Sequence, residues 1–182
     1  MRKNKEKVYK IKGSPFFWRL KAEQLRHSAE ILWPHAEEWL EKLSNIDIQE
    51  NKIDYKELGP DVFPTFMALL GFSTECLFKA TIIRDNKQFI SNGKMAKQLK
   101  SHDLIWLAKT AKIRLTNHEQ IFCRQAHEHM VNYRYPIPAE IAEENFAHKI
   151  DGHCKTVFTE LYDRLFPGLD QFGNSNYNMS FK

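Results

Sequence analysis

VFPTFMALLGFSTECLFKATIIR, residues 62 to 84, decides the fold class. Phe63, Phe66, Leu69, Leu70, Cys76, Leu77, Ala80 and Ile83 recur in it at three-to-four spacing, a wide apolar face that predicts a central buried helix. Glu75 and Lys79 sit one turn apart on the same helix, where they are expected to pair at its surface or to anchor a neighbouring helix. No stretch of the chain offers a strand-like alternation of useful length.

The neighbouring segments are helical too. Towards the N-terminus, Ser14-Pro15 reads as an N-cap with proline at the first helical position. It opens a long helix through Phe17, Leu20, Leu25, Ala29, Leu32, Trp39 and Leu43 that Pro34 is expected to kink. A polar connection, Asn45 to Pro60, separates it from the central helix. Beyond that helix, Asp85 to Lys100 reads as a basic loop around an Asn92-Gly93 turn. Ser101, or His102 beside Asp103, is then the expected cap of a short helix carrying Leu104, Ile105, Leu107 and Ala108. Thr116-x-x-Glu119 is a capping-box pattern announcing the next helix. That helix ends before Pro136, because the residue preceding a proline is pushed towards extended backbone, and a last helix runs from about Ala139 to Phe166. The expected architecture is an all-α, five-helix up-and-down bundle spanning residues 14–167. Residues 1–13 form a basic N-terminal tail and residues 168–182, rich in Asn, Ser and Gly, form a mobile C-terminal one.

A chain of 182 residues, 42% hydrophobic and 27% charged, suits one domain with a real core. Its charge of +4 is unevenly placed. Arg2, Lys3, Lys5, Lys7, Lys10 and Lys12 against Glu6 give the first twelve residues +5, which leaves −1 for the rest. A globally basic nucleic-acid binder is therefore not implied, although the tail itself attracts phosphates. No uninterrupted apolar run approaches the roughly 20 residues of a membrane helix, and the expectation is a soluble, cytoplasmic protein without membrane partners. Cys76, Cys123 and Cys154 lack a CxxC pair and read as reduced, buried thiols. Cys123 with His127, and His148, His153 and Cys154, are spaced wrongly for four ligands, so neither a metal nor a cofactor is expected.

Three stretches together resemble the HEPN domain, named for higher eukaryote and prokaryote nucleotide binding: LLGFSTECLFKATIIRD (Leu69 to Asp85), SHDLIWLAK (Ser101 to Lys109) and NYRYPIP (Asn132 to Pro138). The resemblance implies a helical bundle, homodimers formed through the later helices, and roles in RNA cleavage, nucleotide binding or partnership with a nucleotidyltransferase or antitoxin in defence and toxin systems. The ribonuclease branch uses an arginine and a histidine a few positions on, a spacing that Arg124, His127 and His129 satisfy. Other branches end the equivalent helix in Arg-Tyr-Pro, which Arg134-Tyr135-Pro136 matches.

The helix from Phe122 to Pro136 carries the candidate site. At about 100° per residue, Arg124 and His129 lie roughly 140° apart, so they do not share a face. His129 aligns with Phe122, Ala126 and Tyr133 on the core stripe, whereas His127 falls near Arg124, Val131 and Arg134, with Glu128 available to Arg124 as an ion-pair partner. Two guanidinium forks and an imidazole on one face suit a phosphate. The expected ligand residues are Arg124, His127, Arg134, Tyr135, Lys97 and Lys100, and the expected function is a nucleotide- or RNA-associated accessory module. A metal-independent ribonuclease using Arg124 with His129 or His127, and a ligand-free protein-interaction partner, stand as alternatives.

Overall fold

The computed structural model describes residues 13–45, 59–91, 94–131 and 153–172. Among them are five α-helices: α1 (Pro15–Ser44), α2 (Phe63–Asp85), α3 (Leu104–Thr110), α4 (Asn117–Val131) and α5 (His153–Leu165). The protein is an all-α helical bundle. Helix α2 is its axis, packed against α1, α4, α3 and α5. The side chains of Phe66, Met67, Leu70, Leu77 and Phe78 are almost wholly removed from water, each contributing about 1.5–3 kcal/mol on that account. Because α2 is enclosed on several sides, even its polar positions Ser73, Thr74, Glu75, Lys79 and Thr81 are buried. The three hydroxyls are satisfied by carbonyls, Ser73 on Ala22 of α1 and Thr74 and Thr81 on the preceding turn. At 23 residues and mean hydropathy 1.5, α2 is long and apolar enough to cross a membrane by length and composition. The uninterrupted-run criterion missed it because Glu75 and Lys79 break the run. Its most apolar window is 83% buried inside the bundle, as expected of a core helix.

The element boundaries follow local chemistry, with departures from expectation. Helix α1 runs unbroken in its assignment through Pro34 and buries Ala22, Ala29, Trp33 and Ala36. The segment after α2 is more ordered than a loop: a 3-10 turn over Lys87–Phe89 leads into a two-stranded hairpin, Ile90–Ser91 against Lys94–Met95, and a second 3-10 turn follows over Lys97–Lys100. The cap of α3 is Asp103, not Ser101. Asp103 Oδ1 accepts from the Trp106 amide at 2.9 Å, and Ser101 Oγ accepts from the Asp103 amide instead. The capping box at α4 forms in both directions, Thr116 N to Glu119 Oε2 at 2.7 Å and Glu119 N to Thr116 Oγ1 at 3.2 Å. Glu119 is buried, and its other oxygen takes Arg164 Nη2 of α5 at 2.6 Å. The last helix is described from His153. Its expected start near Ala139 lies outside the described residues, as does the Arg134-Tyr135-Pro136 corner. At the other end a 3-10 turn, Pro167–Phe172, carries the buried Leu169, so the packed body extends past residue 167.

Candidate functional site

The chemistry concentrates where α2, α4 and the segment before α3 meet. Glu75 and Lys79 form an ion pair, but not at the surface: their side chains are 8% and 3% exposed, and Nζ lies 2.5 Å from Oε1. A buried pair repays its desolvation only when its remaining valences are also filled. Here the second Glu75 oxygen is met by His102 of the segment before α3, and Lys79 faces an aromatic ring of α1. His102 Nδ1 lies 2.8 Å from Glu75 Oε2, and Lys79 Nζ sits 5.5 Å from the centre of the Trp18 ring. The His102 ring stands edge-on to Phe72, with its side chain still 47% exposed.

From the other side, His127 Nδ1 of α4 lies 2.9 Å from the backbone carbonyl of His102. One residue is thus held twice, its imidazole by α2 and its backbone by α4. The sequence separations are 27 and 25 residues, so no local pattern could have joined them. The one signal in the sequence is a pair of charges on an otherwise apolar helix, and of its two expected roles, a surface pair or an anchor for a neighbouring helix, Glu75 takes the second by holding the segment that leads into α3.

Ser101 and Asp103 flank His102 in extended backbone. With Lys97, Gln98, Lys100 and Trp106 they line an open groove of about 630 Å³. The expected ligand residues Lys97 and Lys100 are therefore brought together, beside the half-buried indole of Trp106.

The α4 residues divide as their angular positions require. Arg124 is exposed and makes no ion pair among the described residues. The expected bond to Glu128 does not form, consistent with the small return on an exposed pair. His127 lies one turn beyond Arg124 and is half-buried in the relay just described. His129 faces the core, edge-on to the Phe63 ring at 5.9 Å, and burial pushes its pKa down to about 4. It is neutral at pH 7, and the structure does not bring it together with Arg124. Burial also drives the thiols of Cys76 and Cys123 up to about 12, which removes them as nucleophiles. Among the described residues no three His, Cys, Asp or Glu side chains converge as metal ligands.

Comparison of the chain with protein-family models, with curated proteins and with solved structures finds no match in any of the three.

Proposed function

We propose that this chain is a HEPN-like helical module that binds a phosphate-bearing ligand, a nucleotide or RNA, as an accessory component. The observation that carries the reading is the groove. Lys97 and Lys100 supply two ammonium groups and Trp106 an indole face within one open cleft, the combination that tracks a phosphate backbone and stacks a base. The relay through Glu75, His102 and His127 supports it by fixing the wall from which Ser101 and Asp103 enter that cleft. The expectations of a homodimer and of a nucleotidyltransferase or antitoxin partner belong to this proposal. Light scattering at micromolar concentration tests the dimer, which a monomeric mass excludes.

Titration of the full chain with a mononucleotide, followed by tryptophan fluorescence and set against inorganic phosphate, tests the groove. Quenching by the nucleotide, lost in Trp106→Phe, is expected. Equal binding of phosphate and nucleotide with no change in fluorescence contradicts it.

A second reading, metal-independent RNA cleavage, is favoured by one observation. The His102 carbonyl can only accept, so His127 Nδ1 donates and, in the neutral ring, Nε2 carries the lone pair, one turn from the exposed Arg124. Such an imidazole serves as acid or base while the guanidinium offsets charge on a phosphate. Incubation with RNA checks this reading, which does not stand if Arg124→Ala cuts as well as the parent chain.

A further inference from the structure

Helix α1 and the end of α5 line a second cavity that shares no residue with the groove. At about 870 Å³ it is within the range that holds small molecules. Its floor is aromatic. The rings of Tyr162 and Phe166 stack with centres 5.0 Å apart, and each is faced by a guanidinium, Arg26 over Tyr162 at 4.5 Å and Arg19 over Phe166 at 4.6 Å. Its rim is acidic: Glu23, Glu30 and Asp163 line it, and Arg26 is the only lysine or arginine among the lining residues.

Two of these groups lack a counterpart. The Tyr162 side chain is 2% exposed, and its hydroxyl has no hydrogen-bond partner among the described residues, a costly condition for a buried polar group. Three of the charges that act on that hydroxyl, Glu23, Arg26 and Asp163, line the cavity, so the phenol oxygen lies at its charged floor. Burial first, and then Glu23, pushes the phenol up to about 12, which keeps it protonated at neutral pH. Glu23 makes no ion pair among the described residues. Arg26 is held by Glu30 Oε1 at 2.8 Å and by Asp163 Oδ1 at 3.2 Å, with the three side chains 29%, 45% and 63% exposed. Pairs so open to water return little, so the Arg26 head is a displaceable cover on the Tyr162 ring.

We propose that this cavity binds an extended polyamine, with Arg26 as the resident cation that the ligand displaces. Glu23 and Glu30 are two turns apart on α1, about 10.5 Å along its axis, a separation that suits ammonium groups at the two ends of a flexible chain better than one compact cation. One end pairs with Glu23 and donates to the Tyr162 oxygen. The other takes Glu30 and Asp163 as Arg26 swings out, and the methylenes between them lie on the apolar floor.

Calorimetric titration of the full chain with spermidine at fixed ionic strength tests the site. Binding is expected, weaker by about tenfold in Glu23→Gln and by about fivefold in Tyr162→Phe, the returns of a charged and a neutral hydrogen bond. Tyr162→Phe should melt no lower than the parent, because its hydroxyl has no partner to lose. Arg26→Met, which keeps the stem and removes the charge, should bind spermidine about threefold more tightly, a gain that an arginine of purely structural use does not give. Lys97→Ala/Lys100→Ala should bind it like the parent, which separates this site from the groove. Absence of binding, unchanged affinity in Glu23→Gln or Tyr162→Phe, or weaker binding by natively folded Arg26→Met overturns the proposal. So does displacement of spermidine by an equal concentration of magnesium, which marks the carboxylates as a plain counterion cluster.

Discussion

Glu75 is the residue on which stability and site converge. It holds Lys79 on its own helix and His102 on another segment while almost wholly withdrawn from water. Removing one partner of such a pair strands the other charge, so Glu75→Ala is expected to cost about 3–5 kcal/mol. His102→Ala, which deletes a half-exposed ring, should cost much less. Urea unfolding of the two variants checks the order. The pairing of Glu75 with Lys79 was legible from their spacing. Its burial was not, because a helical period locates one apolar face and α2 is enclosed on several. His129 gives the complementary case, since its angular position alone pointed it to the core. Its folded pKa of about 4 lies below the ordinary imidazole value of 6.5, so as pH falls the unfolded chain takes up the proton first. The resulting stability is complete above about pH 6.5 and is lost progressively towards pH 4, about 3 kcal/mol in all. Thermal melts of the parent and of His129→Phe across that range should differ in slope by this amount, the parent falling faster.

At the scale of elements, helix starts were legible wherever a side chain caps its own helix within three residues. Thr116 and Glu119 cap α4 reciprocally, and Thr116→Ala should cost about 1 kcal/mol, measurable as a shift in denaturation midpoint at unchanged slope. Glu119 also reaches Arg164 on α5, a second role that the capping pattern could not announce. The start of α3 was legible to within two residues, because Ser101 and Asp103 are both good caps and only the bond to the Trp106 amide separates them. The segment after α2 was read as loop because two-residue strands and single 3-10 turns lie below the length at which periodicity speaks. Close approach of α2 and α4 is likewise a matter of packing: a Cβ on Gly71 would come within 2.5 Å of Met130 Sδ.

For the whole molecule, the all-α bundle was legible because its long helices each carry several turns of pattern. The candidate site was legible only in part. Arg124, Lys97 and Lys100 were named from local composition, whereas the relay from Glu75 through His102 to His127, and the place of Trp106 beside the lysines, arise from contacts between segments remote in sequence. On the proposed function, this groove holds a phosphate-bearing strand. Fluorescence anisotropy with a labelled single-stranded oligoribonucleotide, repeated over a range of salt concentrations for the parent chain and for Lys97→Ala/Lys100→Ala, tests it most directly. The account predicts weaker binding by the double variant and a logarithmic salt slope shallower by about 1.4, the loss of two single-strand phosphate contacts. Equal affinity and an identical slope for both proteins would contradict it.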